Sequence, residues 1–302
     1  MTARLMRRSA IALGAGLAAT ALVVSGCGGQ QQQGTANPQQ TAKAPAADPK
    51  LAAMVPDKIK ADGKIVVGTD STYAPAEFLD QDGKTVIGFD VDLFNAVAGK
   101  LGLRAEYVSA PFGAIITGVS SGKYEVGVSS FTINDERKQQ ANMVSYFNVG
   151  TQWATKKSNP AGVSIDEPCG KRIAVQKDTV QVPDIEARSK KCTDAGKPAV
   201  TIDQYQGQDQ ATAAVVSGKD DAMLADYPVA AYAVRQTNGQ LELLGQQYEA
   251  APYGYVIPKD QTQFAQAVAE AVKAIIADGT YAEILKKWGV EQGAIANPAV
   301  NP

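Results

Sequence analysis

Short runs of β-branched residues alternate along the chain with longer segments in which apolar residues recur at helical spacing. The first pattern predicts strands and the second predicts helices. Strands are expected at 65–68, 104–108, 125–129, 171–175, 199–202, 221–224 and 253–257. Helices are expected at 88–99, 112–120, 182–190, 208–217, 228–236 and 263–288, with a break near 278–279, and a further helix begins at 134–140. Strands that alternate with helices indicate an α/β fold.

This alternation restarts after Trp153, so the folded part of the chain divides into two α/β units. The last strand and the helices behind it follow the second unit and are able to pack back on the first. We therefore expect two lobes with a ligand cleft between them. The expected boundaries are lobe 1 at 57–151 with 254–290, lobe 2 at 155–249, hinge crossings at 152–154 and 250–253, and a C-terminal tail at 291–302.

The amino-terminal part has a different pattern, which is typical of a secretory signal peptide. Three arginines within the first eight residues precede an apolar run at 10–24, which is shorter than the roughly 20 residues of a spanning helix. Val24-Ser25-Gly26-Cys27 follows and resembles a bacterial lipobox. We expect a signal peptide at 1–26 and a lipid on Cys27. An ordinary cleavage near Gly26 and twin-arginine export remain as alternatives, and each of them places the protein outside the cytoplasm.

Residues 28–50 are mainly Gln, Ala, Pro, Thr and Gly, with almost no large apolar side chain. Such a segment buries too little surface to offset its ordering entropy, so we expect 27–50 to be a flexible tether. The formal charge of the whole chain is −2 and becomes about −5 without the three leader arginines. A mildly acidic chain without a basic stripe is not expected to bind nucleic acid.

Three cysteines are present, and lipidation of Cys27 would leave Cys169 and Cys192 as an even pair in an oxidising compartment. We expect a disulfide between these two, with a pair of unpaired buried thiols as the alternative. A metal site is disfavoured because the chain has no His and two thiols alone make a poor ligand set.

Polar side chains follow two of the predicted strands, at the ends where open α/β sheets bind ligands. Gly68 to Pro75 is one such loop, although an ordinary polar loop would have the same composition. Ser129 to Thr132 is the other, and Arg137 lies on the helix behind it. Hydroxyls with an arginine suit a small carboxylate. A surface arginine paired with Asp135 or Glu136 is the alternative.

Five stretches occur in an order that resembles the bacterial extracellular solute-binding protein family 3, the polar amino-acid receptors of ABC importers. They span most of 57–289 and are Gly68-Thr69-Asp70 with Tyr73-Ala74-Pro75, Gly88-Phe89-Asp90-Val91-Asp92-Leu93, Ser129-Ser130-Phe131-Thr132 with Arg137, Tyr205-Gln206-Gly207-Gln208-Asp209, and Asp278-Gly279-Thr280-Tyr281 with Lys286-Lys287-Trp288.

The resemblance implies two charged anchors for an amino acid. Arg137 corresponds to the guanidinium that holds the ligand α-carboxylate, assisted by the Thr132 hydroxyl and by a backbone N–H near Thr179. Asp226 corresponds to the carboxylate that pairs with the α-ammonium, assisted by an acceptor at Ser130. Together these groups would select a zwitterion.

The resemblance also implies a side-chain pocket. Tyr73 and Phe112 match two aromatic residues that enclose the ligand side chain, with plain core packing as their alternative role. Asp70 matches an acidic residue that meets a side-chain nitrogen and would repel glutamate or aspartate. Gln176 is expected to face a carboxamide or guanidinium, which keeps glutamine beside arginine, lysine and histidine as candidate ligands.

Two positions depart from the family pattern. Asp178 stands where glycine is usual, so the backbone turn there is an open question. Ala76 stands where phenylalanine is common, and its smaller side chain would either widen the pocket or trim the core.

The expectation that follows is a two-lobed periplasmic-binding-protein-like fold of type II, anchored by lipid to the outer face of the cell membrane. It would be monomeric, would need no cofactor or metal, and would deliver a polar L-amino acid to an ABC permease. A sensor without transport has the same binding chemistry and stays open. An enzyme of the dehydratase type on the same fold is the other alternative, with Glu77 as its general acid.

Overall fold

The computed structural model describes residues 46–302. The predicted signal peptide at 1–26, the lipidation site Cys27 and the tether up to residue 45 lie outside the described residues. Within 46–302 no helix combines the length and the apolar character that crossing a membrane requires.

The described part of the chain is an α/β structure. Its strands are β1 (Lys64–Thr69), β2 (Thr72–Tyr73), β3 (Glu77–Leu79), β4 (Val86–Ile87), β5 (Arg104–Ser109), β6 (Val126–Gly127), β7 (Ala141–Lys156), β8 (Arg172–Gln176), β9 (Thr201–Tyr205), β10 (Ala222–Asp226) and β11 (Leu241–Pro258). Its α-helices are α1 (Pro49–Ala53), α2 (Asp57–Lys60), α3 (Phe89–Lys100), α4 (Ile115–Ser120), α5 (Asp135–Gln140), α6 (Gln181–Asp194), α7 (Gln208–Ser217), α8 (Tyr227–Gln236), α9 (Thr262–Ala277) and α10 (Thr280–Trp288).

Each predicted strand and helix has a counterpart, so the predicted two-lobed α/β fold is confirmed. The small sheet β2-β3-β4 was not predicted, because strands of two or three residues are too short to show a period. The tether needs a correction at its end. Asp48 caps α1, and Leu51 on that helix is buried, so ordered structure begins before residue 50.

One eight-stranded sheet has the order β5-β1-β6-β11-β7-β10-β8-β9. The antiparallel strands β7 and β11 form a long ribbon through its middle. The ribbon presents β11 to the parallel strands of lobe 1, through the pair Val256 and Gly127. It presents β7 to lobe 2, where residues 151–155 pair with β10. A single ribbon therefore joins both lobes.

The ladder between the two ribbon strands is irregular between Leu244 and Ala251. Gly150 lies opposite this stretch, and a Cβ there would stand 2.4 Å from the carbonyl oxygen of Tyr248. Glycine therefore allows the two strands to approach where the regular pairing is interrupted. This interruption separates the part of the ribbon in lobe 1 from the part in lobe 2.

The predicted hinge crossings at 152–154 and 250–253 are displaced from this interruption. Trp153 pairs with β10 and is fully buried within lobe 2. Tyr253 pairs with Phe147 inside lobe 1. The crossings belong to two continuous strands, and a hydrophobic pattern does not mark where a strand passes from one lobe to the other.

The residues predicted as a C-terminal tail lie along the free edge of β7 in lobe 1. Val300 forms a bridge with Val144, the Ser145 N–H donates to the Ala299 carbonyl at 2.9 Å, and the Asn301 N–H donates to the Met143 carbonyl at 2.7 Å. An edge strand with unpaired backbone groups is prone to unwanted pairing, and the tail covers this one.

The predicted pair Cys169 and Cys192 forms a disulfide with a Cα–Cα distance of 5.5 Å. Cys192 lies on α6, and Cys169 lies in the loop before β8. The two residues are 23 positions apart. The bond therefore ties the outer helix of lobe 2 to the start of its sheet.

Replacing both Cys169 and Cys192 by Ser should lower the free energy of unfolding by about 3 kcal/mol, because the unfolded chain regains the freedom of a closed loop of this size. Urea unfolding of the two proteins would measure the difference. The wild type in a reducing buffer serves as the control and should match the double variant. Equal midpoints for oxidised wild type and variant would contradict the prediction.

Candidate functional site

All nine predicted ligand-binding side chains border one narrow space between the lobes. Lobe 1 provides Asp70, Tyr73, Phe112, Ser130, Thr132 and Arg137, and lobe 2 provides Gln176, Thr179 and Asp226. Four further residues on its border were not predicted as ligand contacts, namely Glu77, Ser129, Val180 and Gln181.

Asp70 lies just past β1 and is 4% exposed. One of its oxygens accepts from the Phe112 N–H at 3.0 Å and from Gln176 Nε2, across the cleft, at 2.9 Å. The other accepts from the hydroxyl and N–H of Thr72 at 2.7 and 3.1 Å. Burial raises the pKa of Asp70, and the Thr72 hydroxyl opposes that rise. The carboxylate is thus oriented by both lobes.

Asp226 ends β10, where three parts of the chain donate to it. The hydroxyls of Tyr73 and Tyr253 donate to its Oδ2 at 3.0 and 2.5 Å, and Gln181 Nε2 donates to its Oδ1 at 2.9 Å. The N–H of Asp226 in turn donates to the Tyr73 hydroxyl at 3.1 Å. Burial raises the pKa of Asp226, and these hydrogen bonds together with the Arg137 charge oppose the rise.

Tyr253 and Gln181 are functional neighbours that sequence analysis missed. Tyr253 lies on the ribbon beside its change of register, and Gln181 is the first residue of α6. Neither belongs to a motif, and each meets Asp226 only through the fold. The presence of a polar side chain at the first position of a helix was the one available signal for Gln181.

Arg137 is placed by helix α5, whose N-cap residue Asn134 accepts from the Arg137 N–H at 2.9 Å. The guanidinium donates to the carbonyls of Thr132 at 2.8 Å and, across the cleft, of Asp178 at 3.3 Å. Burial lowers the pKa of Arg137 to about 10, and the Asp226 charge opposes this. The residue is 8% exposed, so it faces the cleft rather than the surface.

The aromatic pair of the prediction is arranged differently from a simple sandwich. Phe112 and Tyr73 both border the space, but the Phe112 ring is stacked on Phe131 with a centroid separation of 4.5 Å. The Arg137 guanidinium carbon lies 5.2 Å from the centre of the Phe112 ring. Phe112 therefore supports the arginine by a cation–π contact as well as lining the pocket.

A buried carboxyl pair lies directly beneath the pocket. The Ser130 hydroxyl oxygen lies 3.3 Å from Glu77 Oε2 and 3.1 Å from Asp90 Oδ2, and the Tyr146 hydroxyl donates to Asp90 Oδ2 at 2.5 Å. Burial raises the pKa of Asp90 to about 6, and burial together with the Asp90 charge raises that of Glu77 well above its ordinary value. Both carboxyl groups are thus more readily protonated in the folded protein than in the unfolded chain.

The two departures from the family pattern have clear structural outcomes. Asp178 adopts φ +64°, the left-handed conformation that glycine favours and that aspartate tolerates. Its side chain lies over Gly113 of the opposite lobe, where a Cβ would be 2.2 Å from a carboxylate oxygen. Ala76 is buried in the core and does not border the pocket, so its small side chain trims the core.

The chemical character of the site is that of a charged binding pocket. Three carboxyl groups, of Asp70, Glu77 and Asp226, and the Arg137 guanidinium border the space, as do the amino-terminal residues of α6. Across residues 46–302 no group of three or more His, Cys, Asp or Glu side chains is placed to hold a metal ion.

Comparison with known families gives one match over most of the folded part. The model of the bacterial extracellular solute-binding proteins, family 3, matches residues 65–291. The arginine-binding protein ArgT of Corynebacterium glutamicum is 33% identical over 97% of this chain and 96% of its own length.

Solved structures agree with this family. An ancestral arginine-binding protein superposes with a TM-score of 0.69 both when bound to arginine (32% identity, 75% of this chain and 98% of that one) and when bound to glutamine (31% identity, 76% and 99%). An ancestral amino acid-binding protein described as a precursor of cyclohexadienyl dehydratase superposes at 0.66, with 30% identity over 77% of this chain and 98% of that one. Each of these likenesses covers at least 75% of this chain and so includes both lobes.

The buried carboxyl pair makes stability depend on pH. The folded-state pKa of Asp90, about 6, exceeds its ordinary 3.8, and that of Glu77 is raised as well, so the folded protein binds more protons than the unfolded chain. Between pH 4 and 7, the free energy of unfolding should therefore be greatest at pH 4 and fall by about 2 kcal/mol as the pH rises to 7. Urea unfolding at several pH values measures this slope.

Glu77→Gln should flatten that slope, because glutamine keeps a donor for Asp90 but does not titrate. Glu186→Gln changes an exposed glutamate on α6 and serves as the matched control, with the slope of the wild type. A Glu77→Gln protein with an unchanged slope would show that Glu77 is not more readily protonated in the folded protein.

Proposed function

This chain belongs to the bacterial extracellular solute-binding proteins of family 3, and we propose that it is the amino-acid receptor of an ABC importer, with a basic L-amino acid as its ligand. The observation that supports this most directly is the meeting of Asp70, Asp226 and Arg137 around one buried space. Arginine is the first ligand to test, because the ArgT relative and the ancestral protein are described as arginine-binding.

The charges of the anchors favour a cationic ligand. Arg137 suits the α-carboxylate, with the amino-terminal end of α6 nearby, and Asp226 suits the α-ammonium. Asp70 then remains as a second negative charge that faces the ligand side chain. A ligand with a net charge of +1 balances all three groups, and charge balance matters most where solvent is excluded.

Glutamine is the second candidate ligand. Its carboxamide can donate to Asp70 and accept from Gln176, which already lie 2.9 Å apart. It leaves the negative charge of Asp70 without a counterion, however, so we propose that it binds more weakly than arginine. Glutamate and aspartate would place a carboxylate against Asp70 and are disfavoured.

Binding requires the lobes to open and close. The anchors are engaged with one another across the cleft, through Tyr73 with Asp226 and Gln176 with Asp70. A ligand replaces these partners with its own ammonium and side-chain groups, so each half-site gains contacts only when both lobes surround the ligand. Ligand binding therefore favours the closed state, which a permease can distinguish from the open one.

The remaining parts of the proposal concern location and transport. Lipidation of Cys27 would hold the receptor at the outer face of the cell membrane, and the permease would take the amino acid from the closed form. The same site would serve a sensor without transport. Deletion of the gene should abolish uptake of radiolabelled arginine if the protein is a carrier, and uptake at the normal rate would favour the sensor.

An enzyme of the cyclohexadienyl dehydratase type is a second candidate function, and the similarity to the ancestral precursor favours testing it. Glu77 borders the pocket, and burial raises its pKa well above the ordinary value, which suits a general acid. Its oxygens, however, already accept from the hydroxyls of Ser129 and Ser130. Formation of product from prephenate or arogenate, lost in Glu77→Gln, would overturn the receptor proposal.

Asp70→Asn should weaken arginine binding by about 10- to 100-fold, because it removes one charge partner from a buried site. Its effect on glutamine should be smaller than tenfold, since an amide can still meet the ligand carboxamide. Titration calorimetry with both ligands measures the difference. Asp260→Asn removes an exposed lobe 1 carboxylate and should bind both ligands like the wild type.

A thermal-shift screen of the twenty L-amino acids tests the same proposal more broadly, because a ligand that binds only the folded state raises the melting temperature. Arginine should give the largest shift, and Arg137→Ala should abolish it. A shift with glutamate or aspartate alone would show that the role assigned to Asp70 is wrong, and no shift with any amino acid would overturn the receptor function.

A further inference from the structure

Helix α7 of lobe 2 satisfies only part of its amino-terminal end with its own side chains: Asp209 Oδ1 accepts from the Gln210 N–H at 2.8 Å, and Gln210 Oε1 accepts from the Gly207 N–H at 3.4 Å. Its N-cap residue is Gly207, and the first amide groups of any helix need acceptors from outside the helix. The acceptor for the Gln208 N–H is the hydroxyl of Thr72, at 3.2 Å, which lies on β2 of the opposite lobe. A helix of one lobe is therefore capped by a residue of the other.

Glycine at the N-cap position permits this approach. A Cβ on Gly207 would stand 3.0 Å from both Oγ1 and Cγ2 of Thr72, and 2.5 Å from a carboxylate oxygen of Asp209. The backbone φ of Gly207 is −120°, which any residue can adopt, so conformation does not demand glycine here. The close approaches of the Asp209 side chain and of Thr72 make glycine favourable at this position.

The same hydroxyl also positions a ligand-facing group. Thr72 Oγ1 donates its hydrogen to Asp70 Oδ1 at 2.7 Å while a lone pair accepts from Gln208. A threonine hydroxyl has one hydrogen and two lone pairs, so both bonds form together. Asp70 borders the pocket whereas Thr72 does not.

This position outside the pocket separates the Thr72–Gln208 bond from the other contacts between the lobes. The bonds of Tyr73 to Asp226 and of Gln176 to Asp70 use atoms that an incoming ligand needs. The Thr72–Gln208 bond uses none of them, so it persists when the pocket is filled. It breaks only when the lobes separate.

We propose that Thr72 is a positioning residue that holds the Asp70 carboxylate in place and, by capping helix α7 of the opposite lobe, stabilises lobe closure over the ligand. This inference rests on the proposed receptor function. Because the cap is available only in the closed form, it should slow ligand release without affecting capture. The cap should slow dissociation by the same factor for every ligand that closes the lobes.

Three variants separate the two roles of Thr72. Thr72→Val removes the hydroxyl and with it both bonds. Thr72→Ser keeps the hydroxyl and should restore wild-type behaviour. Gly207→Ala obstructs the approach of Thr72 to α7 but leaves its bond to Asp70 intact. Thr201→Val alters an exposed threonine on β9 and is the matched control.

Stopped-flow measurement of arginine binding to the full chain provides the first test. Thr72→Val and Gly207→Ala should each raise the dissociation rate by about five- to tenfold, with the association rate unchanged. The double variant should release arginine no faster than Thr72→Val, because both changes remove one cap. Multiplying effects in the double variant, or a Gly207→Ala protein with the wild-type rate, would overturn the proposal.

Hydrogen exchange of the Gln208 amide, measured at saturating arginine so that the lobes are closed, provides a second test. The amide should exchange several-fold faster in Thr72→Val than in the wild type and Thr72→Ser proteins. Equal rates in all three would show that Thr72 does not cap α7 and would overturn the proposal. Failure of arginine and every other amino acid to bind the wild type would instead overturn the receptor function.

Discussion

The buried carboxylate of Asp226 is the group on which the rest of the structure depends. A charge at 5% exposure is unfavourable unless donors surround it, and the donors here come from three separate parts of the chain. Tyr73 belongs to lobe 1, Gln181 begins α6 in lobe 2, and Tyr253 lies on the ribbon between them. The lobes, their connection and the pocket therefore meet at a single carboxylate.

The ribbon of β7 and β11 explains why the pocket forms between two lobes. It offers β11 to one half of the sheet and β7 to the other, and its pairing is interrupted beside Gly150. Rigid lobes joined at an interrupted ladder can separate without losing their own cores. The contacts across the cleft include polar ones, which are individually worth about 1 kcal/mol and can be exchanged for ligand groups.

The carboxyl groups of the site have two different hydrogen-bonding environments. Asp70 and Asp226 face the ligand and are held as hydrogen-bond acceptors, whereas Glu77 and Asp90 both lie next to the Ser130 hydroxyl and are more readily protonated than in the unfolded chain. The charges of Asp70, Asp226 and Arg137 are the physical basis on which we propose a basic amino acid as the ligand.

The sequence by itself determined the alternation of strands and helices, the division into two lobes, the pairing of Cys169 with Cys192 and nine of the thirteen side chains that border the pocket. These features depend on local periodicity, on parity of cysteines and on motifs, all of which are visible in a linear chain. Tertiary structure decided what no local pattern contains: the long ribbon and the position of its interruption, the convergence of Gln181 and Tyr253 on Asp226, and the capping of α7 by Thr72. Each of these joins residues far apart in the chain, and their contacts arise only when both lobes have formed and face each other.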